Sequence, residues 1–279
     1  MKHIHSIIEM QSCANSWQQA GQKIAFVPTM GDLHAGHLSL VEKAMELAER
    51  VVVSIFVNPL QFNDNSDFEA YPRTLDSDIQ KLDKYRVDAL FTPNDNELYP
   101  QGRDFITGVD VPELSSILEG SSRPGHFRGV TTVVAKLFNC VQPQVAIFGE
   151  KDFQQLLVVQ RMVADLNFPI EIIGMPSHRE EDGLAMSTRN SRFSAEERQK
   201  APVLYRTLRT LRDKIRAGEN DFAQLESQAM EQIAAEGMMP EYISVRSVKD
   251  LGAPQASADL VIVAAARLGQ TRLIDNIRV

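Results

Sequence analysis

The segment of residues 24–48 constrains the fold more than any other part of the chain. An apolar run, Ile24–Val27, is followed by a loop that contains Gly31 and Gly36. Apolar residues then recur at helical spacing over residues 40–48. A buried strand, a glycine-bearing loop and a helix, in this order, predict a βα unit of a parallel sheet.

The alternation of strands and helices continues to about residue 175. Further strands are predicted at Val51–Val57, Ala89–Thr92, Val145–Phe148 and Ile170–Met175. Helices are predicted at Leu75–Tyr85, Val130–Val141 and Asp152–Asn167. Apolar strands between helices imply a parallel sheet covered on both faces, and such doubly wound sheets bind ligands at the carboxyl ends of their strands.

The pattern changes after about residue 190. A capping box at Ser194–Glu197 begins one long charged helix that is predicted to run to about Ala217. A second helix, Asp221–Glu236, and three strands follow: Glu241–Val248, Leu260–Leu268 and Thr271–Val279. We therefore predict an α/β fold, with a doubly wound, Rossmann-like sheet of the nucleotidyltransferase kind in residues 1–185 and a smaller α+β domain in residues 186–279.

Composition narrows the class of protein. The 279 residues are 43% hydrophobic, enough for one large domain or two small ones. A net charge of −8 argues against general binding to nucleic acid or to an anionic membrane. The only cysteines, Cys13 and Cys140, form neither a disulfide framework nor a metal motif, which suits a reducing compartment. With no apolar signal region or membrane-length run in the sequence, we expect a cytoplasmic protein.

The glycine loop has the chemistry of a phosphate site. His34 and His37 lie where the predicted helix begins, and the unpaired N–H groups of a helix start attract anions. The glycine spacing matches a P-loop, but His37 and Leu38 stand where that motif needs Lys and Ser or Thr. The remaining His-x-Gly-His pattern resembles the "HIGH" signature of class I nucleotidyltransferases, which attack the α-phosphate of a nucleotide. Two histidines alone fit a simple helix cap equally well.

Other polar clusters follow predicted strands or precede helices, and each has a structural alternative. Asn58–Phe62 fits a substrate-holding turn or an ordinary strand end. Phe148–Gln155 fits an anion site or a capping pair of Asp152 with Gln155. The remaining two clusters are Asp182–Asn190 and Arg123–Arg128. The first fits a phosphate-binding site and the second an anion-binding site, and both also fit solvated loops.

Six motifs together resemble the pantoate–β-alanine ligase family, in the family's order and over essentially the whole chain. They are Pro28–His37, Phe56–Phe62, Tyr71–Thr74, Arg123–Gly129, Phe148–Asp152 and Asp182–Asn190. The resemblance implies that ATP activates pantoate as a non-covalent pantoyl adenylate, which β-alanine converts to pantothenate with release of AMP. It also implies Mg²⁺ with the ATP, small-molecule substrates only, and a homodimer.

The same resemblance assigns roles to individual residues. The catalytic residues are expected to be His34, His37 as proton donor, and Lys151. Gln61, Gln155 and Arg123 are expected to bind pantoate or β-alanine. The expected ATP contacts are Met30, Gly31, Asp32, Leu33, His34, Ala35, Gly36, His37, Gly149, Glu150, Lys151, Asp152, His178, Met186, Ser187, Thr188 and Arg189.

Three positions depart from the family's usual pattern. Thr188 replaces a serine but keeps the hydroxyl, and His178 replaces an aliphatic residue whose backbone meets adenine. The family's Mg²⁺-associated acidic pair is here Ser77-Asp78, so Asp78 is the predicted metal residue.

Rival functions remain at this stage. A nucleotidyltransferase that stops at an adenylylated product and an aminoacyl-tRNA ligase share the histidine motif, although the latter needs a basic surface. A nucleotide-binding regulatory module would bind the nucleotide without releasing pyrophosphate.

Overall fold

The computed structural model describes residues 1–255 and 259–279, and it divides into two compact units. The first unit comprises Met1–Glu150 and Val158–Met175, and the second comprises Lys151–Leu157 and Pro176–Val279. This division falls at residue 176, whereas the sequence predicted a boundary after residue 185, which stays a prediction. None of the helices in the described residues is long and apolar enough to cross a bilayer.

A six-stranded parallel sheet organises the first unit. Its strands are β1 (Lys2–Ile4), β2 (Ile24–Thr29), β3 (Arg50–Ile55), β4 (Ala89–Phe91), β5 (Val145–Gly149) and β6 (Glu171–Met175). Their order is β1-β4-β3-β2-β5-β6, and every pairing is parallel. From β2 the chain builds β3 and β4 on one side and later β5 and β6 on the other. The predicted doubly wound, Rossmann-like sheet is confirmed.

Helices join these strands. They are α1 (Ile7–Gln19), α2 (Ala35–Leu47), α3 (Asn65–Glu69), α4 (Leu75–Leu82), α5 (Asp95–Leu98), α6 (Glu119–Ser122), α7 (His126–Val141) and α8 (Phe153–Asp165). Short 3-10 turns span Pro59–Gln61, Arg103–Phe105 and Glu150–Asp152. The apolar face of α2 buries Leu40, Val41 and Ala44 against the strands, as the helical spacing predicted.

The second unit is the predicted smaller α+β domain. It contains a 3-10 turn (Thr188–Arg192), the helices α9 (Ala195–Lys200), α10 (Val203–Arg216) and α11 (Phe222–Ala235), and the strands β7 (Met239–Ser247), β8 (Leu260–Leu268) and β9 (Thr271–Arg278). The strands form an antiparallel sheet in the order β7-β8-β9. Buried side chains of α10, α11 and the sheet form its core.

One helix prediction in this unit is wrong. The sequence predicted a single helix from Ser194 to about Ala217, but the structure contains α9 and α10 with a turn at 201–202 between them. Pro202 explains the break, because proline has no N–H to donate to the preceding turn. The predicted capping box is confirmed: Ser194 Oγ accepts from Glu197 N at 3.2 Å, and Glu197 Oε2 accepts from Ser194 N at 2.8 Å.

Candidate active site

The strand order of the first unit reverses at β2. β2 pairs with β3 on one side and with β5 on the other. The loop of residues 30–34 leaves the carboxyl end of β2, and Gly149 and Glu150 lie at the carboxyl end of β5. Ligands of doubly wound sheets bind at such a switch point, so the structure places two of the predicted ATP segments where a ligand is expected.

The backbone takes a tight left-handed course just after β2. We call residues 30–37, which contain this turn and both histidines, the histidine loop. Gly31 has φ +86° and Asp32 has φ +50°, both in the left-handed region. A Cβ on residue 31 would lie 3.0 Å from Ile55 Cγ2 and 3.3 Å from Asp78 Oδ2. Glycine is therefore required at position 31 both for its φ and for the space it leaves.

The two histidines lie together at the start of α2. His34 is the residue that caps this helix, and His37 lies in its first turn. Their ring centroids are 4.0 Å apart, and His37 Nδ1 accepts a hydrogen bond from His34 N at 3.3 Å. Because Nδ1 of His37 accepts, a neutral His37 ring carries its hydrogen on Nε2. The predicted proton donor thus has a defined donating nitrogen.

A hydrogen-bond network fixes the side chain of Gln61. Tyr99 Oη donates to Asn58 Oδ1 at 2.7 Å, and Asn58 Nδ2 donates to Gln61 Oε1 at 3.1 Å. Gln61 Nε2 in turn lies 3.0 Å from the Met30 sulfur, at the start of the histidine loop. Since Oε1 of Gln61 is an acceptor, its Nε2 is the edge that can donate to a ligand.

Burial keeps the first member of this network protonated. Tyr99 and Asn58 are both buried. Removal from water raises the pKa of the Tyr99 phenol well above its ordinary value, and the nearby Asp95 carboxylate raises it further. Tyr99 therefore stays a hydroxyl donor to Asn58 throughout the physiological pH range.

Arg123, just before α7, and His126, the first residue of α7, hold the backbone of the same glutamine. Arg123 Nη2 donates to Gln61 O at 3.1 Å, and His126 Nδ1 donates to the same carbonyl at 2.7 Å. Arg123 was predicted to bind an anionic substrate, and the structure shows that this guanidinium also fixes Gln61. His126, which the sequence placed in the same cluster without a role of its own, is buried and shares that task.

Asp78 was predicted as a Mg²⁺ residue, and its surroundings do not fit that role. Its carboxylate accepts from Asp32 N and Leu33 N, each at 2.8 Å, and from Thr74 Oγ1 at 3.2 Å. The side chain is 1% exposed. Among the described residues, no group of three or more His, Cys, Asp or Glu side chains could hold a metal ion. Asp78 as a metal ligand stays a prediction, and the three hydrogen bonds to its carboxylate argue against it.

In the second unit, β9 fixes the segment that contains Lys151. Asn276 Nδ2 donates to Lys151 O at 3.0 Å, and the Arg278 guanidinium lies 5.3 Å from the centre of the Phe153 ring. The ammonium of Lys151 lies 3.7 Å from Asp152 Oδ1. Gln155, predicted to bind substrate, is half-buried in the first turn of α8.

The other predicted ATP segment of this unit is a turn followed by a 3-10 helix. Met186 N donates to His178 O at 2.9 Å, so the His178 carbonyl is engaged in the turn while its side chain is exposed. Ser187 caps the 3-10 helix by accepting from Arg189 N at 3.3 Å. Thr188, whose hydroxyl was expected to meet phosphate, is buried.

Sequence reasoning missed the residues that support Gln61 from a distance. Asn58 was noticed only as a member of the Asn58–Phe62 cluster, with no role of its own. No sequence signal connects Tyr99 with it, because 41 positions separate the two. The basic character of the segment around His126 was visible, but its partner, a backbone carbonyl, leaves no trace in the sequence.

Comparisons with known proteins identify the family of the chain. The family model described as pantoate–β-alanine ligase matches residues 2–278. The pantothenate synthetase of Nitrosococcus oceani is 50% identical over 280 residues, which cover 100% of this chain and 98% of that protein.

Two solved structures are similar over nearly their whole length. A pantothenate synthetase from Thermus thermophilus has a TM-score of 0.92 and 45% identity, with 99% of each chain covered. A pantoate–β-alanine ligase from Francisella tularensis, solved with β,γ-ATP and β-alanine, has a TM-score of 0.85 and 37% identity, covering 100% of this chain and 97% of that one.

Proposed function

The chain belongs to the pantoate–β-alanine ligase family, and we infer that it joins pantoate to β-alanine with consumption of ATP. The match over residues 2–278 carries this inference, because it includes both units and every motif that the sequence predicted to be functional. The first unit supports it, since the Met30 sulfur connects the histidine loop to Gln61. The proposed nucleotide-binding loop and the proposed pantoate ligand are thereby adjacent in that unit.

The first step we propose is activation of the pantoate carboxylate. A carboxylate oxygen attacks the α-phosphorus of ATP, an O–P bond forms, and the bond from the α-phosphorus to the bridging oxygen breaks, so pyrophosphate leaves. Negative charge on the α-phosphate oxygens is stabilised by the start of α2 and by a hydrogen bond from His37 Nε2. His34 caps the helix and holds the ring of His37.

The second step is amide formation. The neutral amine of β-alanine attacks the acyl carbon of pantoyl adenylate, a C–N bond forms, and the C–O bond to AMP breaks as the nitrogen loses a proton. No side chain forms a covalent bond to a substrate, so the contribution of the protein is positioning and electrostatic stabilisation. The motifs contain no Ser, Cys or Lys in a recognisable nucleophile arrangement, which supports a non-covalent intermediate.

The substrate contacts we propose follow the polar groups already described. Gln61 Nε2 donates to an oxygen of pantoate, with Gln155 as a second amide ligand and Arg123 as the nearby positive charge. In the first unit, ATP meets Met30–His37, Gly149 and Glu150. In the second unit, Lys151, Asp152, the His178 backbone and Met186–Arg189 contact ATP, and Lys151 neutralises phosphate charge.

We propose that Mg²⁺ arrives with ATP as part of the substrate. Phosphate oxygens and water would be among its ligands, because Mg²⁺ prefers oxygen ligands and usually keeps several waters. We also propose that the enzyme acts in the cytoplasm as a homodimer. Sedimentation equilibrium tests the homodimer. A species with the mass of one chain at working concentration would overturn it.

A product assay tests the function. The purified protein is incubated with MgATP, pantoate and β-alanine, and pantothenate, AMP and pyrophosphate are quantified. We expect equal amounts of the three, and no pantothenate when any substrate is omitted. Pyrophosphate without pantothenate would favour an adenylyl transfer that stops at its first product. Nucleotide binding without any pyrophosphate would favour a regulatory module, and either result would overturn the proposal.

A further inference from the structure

We propose that Asp78 is a positioning residue that holds the histidine loop in its working shape, and that it is not a ligand of Mg²⁺. The catalytic consequence rests on the proposed function, whereas the structural role of Asp78 does not depend on it.

The loop presents an internal anion site. Gly31 and Asp32 have positive φ values, and successive N–H groups in such a conformation point to one side and attract an anion. The anion here is the protein's own Asp78 carboxylate, which accepts from Asp32 N and Leu33 N at 2.8 Å. These two amides are therefore committed to Asp78 in the first unit, and the N–H groups of the α2 start remain for phosphate.

The carboxylate has little capacity left for a metal ion. Besides the two amides, it accepts from Thr74 Oγ1 at 3.2 Å and lies 3.6 Å from Lys81 Nζ. Direct coordination of Mg²⁺ requires oxygen at about 2.0–2.1 Å with near-octahedral geometry. An ion at that distance would have to displace the bonds that shape the loop, and the ammonium beside the carboxylate would repel it.

The same helix also holds the other polar atom of Leu33. Lys81 Nζ donates to Leu33 O at 2.7 Å, so Asp78 and Lys81, one turn apart on α4, bind the N–H and the C=O of one residue. Leu33 itself is buried. Since His34 follows directly and caps α2, fixing Leu33 fixes the position from which both histidine rings project.

The test compares two acidic residues in the first turn of α4. Asp78→Asn keeps the size but replaces one acceptor oxygen with an NH₂ group that faces a loop amide. Asp76→Asn is the matched control, because Asp76 lies in the same turn and is exposed. Hydrogen exchange of the peptide covering residues 30–36 is measured without nucleotide, and kcat, KM for ATP and the Mg²⁺ concentration for half-maximal activity are measured with it.

We expect faster exchange in that peptide and a kcat reduced by about 10- to 100-fold for Asp78→Asn, because small misplacements of catalytic groups cost rates of this size. The Mg²⁺ requirement is expected to stay within about twofold of wild type, and Asp76→Asn is expected to match wild type. Unchanged exchange, or a Mg²⁺ requirement raised about tenfold or more, would overturn the proposal. So would a lowered Tm with a normal kcat per folded molecule, which indicates a role in stability alone.

A second variant tests the same role of α4 in case Asp78→Asn does not fold. Lys81→Met keeps the aliphatic stem and removes only the donor to Leu33 O, and it should raise exchange in the same peptide and lower kcat by a smaller factor. Normal exchange in this variant would contradict the role of α4. If the wild-type protein makes no pantothenate, the proposed function fails, while the exchange measurements still decide the role of Asp78.

Discussion

At the scale of single residues, Gln61 is held at both its side chain and its backbone. Asn58 binds its amide oxygen, and Arg123 and His126 bind its carbonyl. The sequence around Gln61 does not predict these hydrogen bonds, since two of the three residues are more than 60 positions away. A pattern in one sequence identifies the glutamine, whereas only the fold identifies the groups that orient it.

Tyr99→Phe tests the far end of this support. The change removes the hydroxyl that donates to Asn58 Oδ1 and leaves the ring in place. Asn58 Oδ1 then keeps only the bond from Leu60 N at 3.3 Å. Because a typical hydrogen bond contributes about 0.5–1.5 kcal/mol, we expect KM for pantoate to rise by about 2- to 12-fold with KM for ATP nearly unchanged. Tyr85→Phe, which removes a hydroxyl outside the network, is the control. Equal effects on both substrates would show that Tyr99 acts on general packing.

His37→Ala tests the proposed donor. The variant loses the hydrogen bond to the reacting phosphate, and we expect formation of pantoyl adenylate in a single turnover to slow by about 10²-fold or more. The exposed His3 provides the control, because His3→Ala removes an imidazole from β1 and should leave the rate unchanged. A His37→Ala enzyme with a near wild-type single-turnover rate would contradict the assignment.

At the scale of elements, sequence patterns predicted five strands of the first unit and the helices between them, but missed β1, α1 and the short helices α3, α5 and α6. The five predicted strands of the first unit are all present, with ends shifted by at most two residues. β1 has only three residues, too few for a periodic pattern, and its partner β4 is distant in the chain. Helix α1 did leave a signal: Ser6 caps it by accepting from Glu9 N, the spacing of a capping box.

The capping box of α9 gives a prediction at this scale. Ser194→Ala removes the acceptor for Glu197 N and should lower the free energy of unfolding by about 1 kcal/mol. The helix lies in the second unit, away from every proposed catalytic residue in sequence, so kcat per folded molecule should not change. Thermal unfolding of this variant is compared with Ser227→Ala on the exposed face of α11. An equal loss in both variants would mean that the cap contributes nothing specific.

At the scale of the whole molecule, the order of motifs along the chain predicted the reaction, while the contacts made by each residue required the structure. Asp78 illustrates the limit. Its place after Tyr71–Thr74 suggested a metal ligand, but the folded chain occupies its oxygens with loop amides. The position of a carboxylate in a motif indicates the site near which it lies. Its hydrogen-bond partners depend on which backbone groups the fold leaves without hydrogen bonds.

Isotope exchange tests the reaction as a whole. If the intermediate is a bound, non-covalent adenylate, the first step is reversible while it is held, so labelled pyrophosphate should enter ATP in the presence of pantoate without β-alanine. Omission of pantoate should abolish the exchange, and addition of β-alanine should drain the intermediate into pantothenate. Gln61→Ala should lose exchange through pantoate while ATP binding is largely kept, because its amide is proposed to contact pantoate alone in this step.

Two outcomes would contradict this account of the chemistry. A covalent acyl-enzyme detected by mass spectrometry after incubation with ATP and pantoate would mean that a side chain acts as nucleophile. Loss of ATP affinity in Gln61→Ala with normal pantoate affinity would instead reverse the assignment of the glutamine. The structure offers a reason for the second result, because Gln61 Nε2 lies against Met30 of the histidine loop. Removal of that contact would change the loop and so lower the affinity for ATP. Measuring both affinities in one variant therefore separates a substrate ligand from a support of the loop.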